Sequence, residues 1–518
     1  MPTHPSVTQV SKLPEDYLAK EAKNNQKQEA QNSENKSYRV LNSSYDDKVF
    51  NVSPEHGFNC QYEPLKSLPD MYRDIQNLLD NLPVWTDFHK KEQGILSVPS
   101  KIQQEVSKLD DFNNLVSKEE DPQVLQALFR GYTFLSSAYL LEPAHQAFLK
   151  TGEYGKGLNV LPRNLAKPLC TVAKKLDVFP WLDYHYAYSL GNYVKRDPTK
   201  GMNWENLEMA VKFSGTPDEI GFIMLHVDIN QYSPQLIDSI HQTFRGLENS
   251  DTKKILSGLK ANYQTMEKMN TRRRLMWKAS NHKNYNDFRV FIMGIKGNDD
   301  LFGDGVVYQG TDDESPRQYR GQSGSQDNII PTEDIFTGVI KYYPNNVLTK
   351  YLLDMRHYRP KVMQAFYQDL QQDSDNLVSK LKDLDPSSLT KALMSILLSV
   401  HEIYMFRNGH WQFVQKYIMG NTKYAKATGG TPITTWIPNQ IEACLKYMSD
   451  LFEMIEALSV KVTDDDELLH KFEDVKKNYP SRVQVFAMQI DELKKVDYDA
   501  NLVYLHNGSF KDAEIDSQ

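Results

Sequence analysis

"SVHEIYMFRNGHWQFVQKYIMG", residues 399–420, decides how the rest of the chain is read. At about 100° per residue, a helix over this stretch puts Ile403, Phe406, Arg407, His410, Phe413, Val414 and Tyr417 on one side. The stretch therefore reads as a buried helix with a histidine pointing inward among large apolar groups. His401 falls on the opposite side of the same helix, so the two histidines cannot share an ion. Gly409 costs about 1 kcal/mol against alanine in a helix interior, which predicts that something flat or bulky approaches there.

Helical patterns extend outward in both directions. "DPQVLQALFRGYTFLSSAYLL" (121–141), "SPQLIDSIHQTFRGLE" (233–248), "NVLTKYLLDMRHY" (346–358) and "SLTKALMSILLSVHEIYMF" (388–406) each begin near a Ser, Asp or Asn cap or a Pro. From "YEPLKSLPDMYRDIQNLLDNLPVW" (62–85) onward, few alternating strand patterns compete, and the fold class expected is all-α. Two loop-rich stretches interrupt, "GNDDLFGDGVVYQGTDDESPRQYRGQSGSQDN" (297–328) and "NTKYAKATGGTPITT" (421–435), and long loops of this kind are usually functional.

Composition excludes several classes. Lys plus Arg number 60 against 68 Asp plus Glu, giving a net charge of -8. No long basic run could track a phosphate backbone, so no nucleic-acid partner is expected. Cys60, Cys170 and Cys444 lie far apart and form neither a C-x-x-C pair nor a disulfide framework, which fits a reducing compartment. The N-terminus lacks the apolar region of a signal peptide and no run of about 18 apolar residues is evident, so no membrane is expected and the cytosol is the expected location. Residues 20–48 are too polar to offset ordering entropy. The expected organisation is a tail over 1–50, a smaller helical domain over 51–170, a larger helical domain over 171–500 and a C-terminal tail over 501–518.

Read alone, an inward histidine bounded by aromatics is either a hydrogen-bonded core residue or an axial haem ligand, since a porphyrin supplies the other nitrogens in the plane. "RNGHWQFVQKYI" (407–418) followed by "KATGGTP" (426–432) resembles the proximal-histidine helix and Thr-Gly-Gly loop of the indoleamine 2,3-dioxygenase family. "GLNVLPRNLAKPLCTVAKKLDVFPWLDY" (157–184), "RVFIMGIKGN" (289–298) with "GDGVVYQG" (303–310), and "YLLDMRHYRP" (351–360) resemble further segments of that family, in family order, over about residues 55–440.

The resemblance implies a two-domain, all-α haem fold that binds haem b, with dioxygen as co-substrate and a small-molecule indole as substrate. The activity implied is opening of the indole pyrrole ring of L-tryptophan or a related indoleamine to N-formylkynurenine, by a chain expected to be a monomer. Residue by residue, it implies His410 as the iron ligand, Arg407 paired with Asp334 in its support, and Gly429 and Gly430 in the loop by the cofactor. It further implies Arg289 on the substrate carboxylate, Thr428 on the amine, His226 in "DEIGFIMLHVDI" (218–229) on the indole N–H or the oxygen, and Tyr184, Tyr285, Ser323 and Gly324 around the substrate. Two positions depart from the family pattern. Asn284 stands where the family has an aromatic residue, and "GQSGSQ" (321–326), with Gln322, Ser323 and Gly324, stands where the family has a Gly-Gly-Ser-Ala run. Both are expected to make the pocket more polar, which leaves open a haem-binding member with lost turnover or one oxidising another indole.

Overall fold

The computed structural model describes residues 37–344, 347–419 and 433–495. Its architecture is all-α. The longer helices are α1 (Pro122–Thr151), α2 (Arg163–Leu176), α3 (Pro217–Asn230), α4 (Ser233–Glu248), α5 (Thr252–Arg273), α6 (Ile329–Thr337), α7 (Val347–Arg356), α8 (Lys361–Ser374), α9 (Pro386–Val414), α10 (Ile433–Leu458) and α11 (Asp466–Lys495). Strands among the described residues are short pairs: Trp85–Asp87 with Glu92–Gln93, Val160–Leu161 with Val307–Tyr308, and Tyr193–Lys195 with Leu207–Met209.

Local chemistry explains where the long helices begin. Before α1, Asp121 accepts from the amides of Gln123 at 2.8 Å and Val124 at 3.3 Å, Pro122 supplies a ready-made first turn, and Gly152 ends the helix at φ 77°. Before α9, Asp385 accepts from the amides of Ser387 and Ser388, both at 3.1 Å, so the helix starts at Pro386, ahead of the sequence-based start at Ser388. Both helices are apolar nearly all round and accordingly run through the interior. Helix α9 packs against α5, α6, α10 and α11, and continues through a wider turn over Gln415–Met419.

The described residues bear on three sequence expectations. One segment, Pro386–Tyr417, is long and apolar enough to cross a membrane, but 72% of its most apolar window is buried inside the fold. The expected tail over 1–50 is too long at its end, because Val40, Tyr45, Val49 and Phe50 are core residues. They are anchored from afar: the Val40 amide donates to Asp373 Oδ2 at 2.8 Å and Tyr186 Oη donates to Asp47 Oδ2 at 2.7 Å. The expected boundary at residue 170 lies inside α2, and one continuous apolar cluster runs from Val40 to Val475. The expected tail over 501–518 lies outside the described residues.

Close approach, rather than an unusual turn, explains one helical glycine. A Cβ at Gly221 of α3 would sit 1.8 Å from the Ala279 carbonyl oxygen, so only glycine lets α3 lie this near the segment after α5.

A buried carboxyl in α6 sets a pH dependence. Glu333 is wholly buried and accepts from Asn262 Nδ2 at 2.8 Å, and Asn262 in turn accepts from Ser399 Oγ at 2.6 Å. Burial raises the Glu333 pKa to about 8, so the folded protein holds this proton at neutral pH. In the unfolded chain the group ionises near 4.5. Between those values the folded state binds the extra proton, so this group's stabilisation, full at low pH, is lost as pH rises towards about 8. Glu333→Gln should flatten that component, read as the wild-type minus variant stability in urea at about pH 5 and about pH 8.

Candidate functional site: a histidine-lined cavity

Helices α3, α6, α7 and α9 and the end of the 297–328 loop form most of the wall of a cavity of about 250 Å³. Six of the seven residues assigned to the inward face of α9 line it: Phe406, Arg407, His410, Phe413, Val414 and Tyr417. The seventh, Ile403, is buried in the core one turn deeper. His410 is open to the cavity and otherwise enclosed by protein. That enclosure, with help from His226 and the Arg273 cation, holds its pKa down to about 4. The ring is therefore neutral near pH 7, the form that binds a metal.

Beneath His410 the helix is fixed by a buried polar network. Arg407 Nη2 donates to Asp334 Oδ2 at 2.6 Å and to Tyr343 Oη at 2.9 Å, while Nη1 donates to the Gln440 carbonyl at 3.2 Å and Cys444 Sγ at 3.1 Å. Tyr343 Oη also donates to Asp334 Oδ2. The Arg407 and Asp334 side chains are 8% and 1% exposed, so this is no surface ion pair. Burial opposes the Arg407 charge, and Asp334 and Tyr343 outweigh it, keeping the guanidinium protonated.

Across the cavity lies His226, on α3. Tyr184, behind it, donates its hydroxyl to Asp327 Oδ2 at 2.8 Å, and His226 Nδ1 lies 3.4 Å from the same hydroxyl. Asn230 Nδ2 also donates to Asp327 Oδ2, at 2.7 Å, and to the His226 carbonyl, at 2.9 Å. The carboxylate is the stronger acceptor and takes the one Tyr184 proton. Tyr184 then offers only lone pairs to His226, which assigns the imidazole proton to Nδ1 and leaves Nε2 an acceptor. Burial pushes the His226 pKa down, with Asp327 opposing, so the neutral ring prevails near pH 7.

The remaining sequence assignments divide. Tyr285, Ser323 and Gly324 line the cavity, and a Cβ on Gly324 would reach within 3.4 Å of His226 Cε1. Gln322 also lines it, as expected of a polar departure. Asn284 does not: its Nδ2 donates to Asp218 Oδ2 at 2.7 Å, tying its own short helix to α3. Arg289 is wholly buried and absent from the lining, and its guanidinium lies beside Tyr154 and Tyr285, whose hydroxyls feel its charge. Arg289, expected at the substrate carboxylate, therefore does not itself line this cavity, while its neighbour Tyr285 does. Thr428, Gly429 and Gly430 lie outside the described residues. Sequence reasoning missed Asp327, Tyr343 and three further lining arginines, Arg273, Arg356 and Arg359. Only Arg273 left a trace, through Gly409.

The family model described as Indoleamine 2,3-dioxygenase matches residues 46–450. The chain belongs to the indoleamine 2,3-dioxygenase family. It is 27% identical to "Indoleamine 2,3-dioxygenase 1" of Rattus norvegicus over 62% of this chain and 73% of the relative. It is 26% identical to "Indoleamine 2,3-dioxygenase 2" of Homo sapiens, over 74% of this chain and 86% of that one. A "Myoglobin" of Haliotis madaka is 24% identical over 72% of this chain and 89% of its own length. The indoleamine 2,3-dioxygenase family is haem-dependent, and the residues of this cavity suit that group. A neutral histidine stands alone on an apolar wall, its helix is locked by a buried ion pair, and further arginines line the space where carboxylates could be met. Among the described residues no group of three or more His, Cys, Asp or Glu could hold a metal ion, so an ion at His410 would arrive with donors of its own.

Proposed function

We propose that this family member is a haem-dependent dioxygenase that opens the pyrrole ring of L-tryptophan or a related indoleamine to N-formylkynurenine. The observation that carries the reading is His410, neutral and lining one cavity together with His226. His410 would hold the haem iron, and Arg407, fixed by Asp334 and Tyr343, would keep its helix in place. When bound, haem supplies the dioxygen chemistry, and the chain supplies placement and polarity. Phe222, Tyr285 and Phe413 give an apolar wall that excludes water from a flat indole. His226, with its proton held at Nδ1 by the Tyr184–Asp327 pair, offers Nε2 as an acceptor for the indole N–H. Ser323 and Gly324 shape the wall beside His226, Thr428 remains the proposed contact for the substrate amine, and Gly429 and Gly430 the proposed loop by the cofactor.

His226→Ser is expected to retain haem while lowering kcat by up to about 10²-fold, the lower end of what a positioned acid or base contributes. Unchanged kcat would make His226 a packing residue only.

A second reading, a haem-binding member without turnover, is favoured by the Haliotis madaka relative that bears the name Myoglobin, and by Gln322 in the cavity wall. Haem-loaded protein given L-tryptophan and isotopically labelled dioxygen separates the two. N-formylkynurenine carrying both atoms of one dioxygen is the expected product. A singly oxygenated product would assign another indole oxidation, and a tryptophan-perturbed spectrum with no product would assign the binding protein.

A further inference from the structure

Helix α5 ends at Arg273, whose guanidinium lies against α9 in the space that a side chain at residue 409 would fill. An ideal Cβ on Gly409 would be 1.8 Å from Arg273 Nη1 and 2.2 Å from Cζ. What Gly409 admits is therefore this cation, one residue before His410. Arg273 is 7% exposed and lines the cavity. Nε donates to Asn270 Oδ1 at 3.1 Å and Nη2 to the Met405 carbonyl at 3.3 Å, and Cζ lies 5.6 Å from the ring centres of both Phe406 and Phe413. Among the described residues no carboxylate forms an ion pair with it; Glu402 acts on it only through the intervening Asn270, whose Nδ2 donates to Glu402 Oε2 at 2.8 Å.

A buried cation held by neutral acceptors and two aromatic faces is under-compensated. The rest of the lining points the same way. Arg407 is matched by Asp334, and Arg359 is satisfied by the carbonyls of Ser325, Asp327 and Met355 and by Asn328 Oδ1. Arg273, Arg356, Arg359 and Arg407 thus face only Asp327 and Asp334 among the described acidic and basic side chains of the lining, a surplus of positive charge around a largely apolar space. A ligand bringing carboxylate groups restores the balance.

We infer that Arg273 is a carboxylate-binding residue of this cavity, its guanidinium seated against Gly409 beside His410 so that Nη1 meets a carboxylate of the bound ligand. The inference rests on the proposed haem-and-indole reading. Two sources have this chemistry, a propionate of the cofactor and the carboxylate of an amino-acid substrate.

The test compares wild type, Arg273→Met, Arg273→Lys and Gly409→Ala, each checked by circular dichroism and melting. Uptake of haem is measured against uptake of its dimethyl ester, and binding of L-tryptophan against tryptamine. A cofactor carboxylate predicts that Arg273→Met weakens haem about 10- to 100-fold and leaves the ester unchanged, with Arg273→Lys recovering part of the loss. A substrate carboxylate predicts unchanged haem uptake and the same loss for tryptophan but not for tryptamine. Gly409→Ala, which keeps the charge and takes its seat, should repeat whichever pattern appears, and so covers the case in which Arg273→Met fails to fold. Equal losses within both pairs, or no loss in either, overturn the inference and leave Arg273 a packing residue. Wild type that takes up neither haem nor its ester contradicts the proposed function instead, and the tryptophan and tryptamine pair then decides Arg273 on the haem-free protein.

Discussion

His410→Ala should bind haem more than about 100-fold more weakly than wild type, because even residues that only support a metal ligand cost 10- to 100-fold when changed. The ring projects into the cavity, so its loss opens no void in the packed core. Stability should stay within about 0.5 kcal/mol, the range of a substitution that touches no packing. The two readings together separate ligand loss from unfolding. Added imidazole can enter the space vacated beside α9, and partial return of the haem band would follow. A variant with wild-type haem stoichiometry and an unshifted band would mean that another residue holds the iron.

Asp334→Ala should cost about 3–5 kcal/mol, the usual penalty for leaving one member of a buried ion pair uncompensated. The magnitude follows from burial: Arg407 would keep Tyr343, the Gln440 carbonyl and Cys444 as partners, all neutral, with its charge enclosed. Arg407→Leu in the same chain removes that charge, so the double variant should be more stable than Asp334→Ala alone. Urea unfolding of the three variants reads this directly. A loss of only about 0–1 kcal/mol for Asp334→Ala would equate the pair with a surface salt bridge.

What the sequence made legible, and what it hid, follows from the length of regular structure around each residue. Helix α9 is long, so its phase carries from Ile403 to Val414, and six of the seven residues placed on one face share the cavity wall, Tyr417 from the wider turn that follows. The pairing of Arg407 with Asp334 came from resemblance alone, since the two are 73 residues apart. Around Arg289 the chain changes from a four-residue α-turn, Asn286–Arg289, to a 3₁₀ turn, Val290–Ile292. Over so few residues no periodicity tells which way a side chain faces, and Arg289 turned to Tyr154 and Tyr285. Asn284 went astray for the same reason. Asp327 sits at the end of a loop whose course is set by contacts far away in sequence, so its meeting with Tyr184 and Asn230 left no local pattern. Gly409 was read correctly as a point of close approach, but the approaching group is Arg273, which looks in "TRRRLMW" like one of three solvated charges. Val40 to Phe50 were hidden by the polar stretch before them.

The central claim is that one haem sits on His410 in this cavity, and the optical spectrum of the reconstituted protein, ferric and then reduced under carbon monoxide, tests it most directly. The account predicts one haem per chain and a carbon monoxide complex with the band of a histidine-ligated haem. Protein that shows no such band after reconstitution, or a carbon monoxide complex with the band of a thiolate-ligated haem, would contradict it.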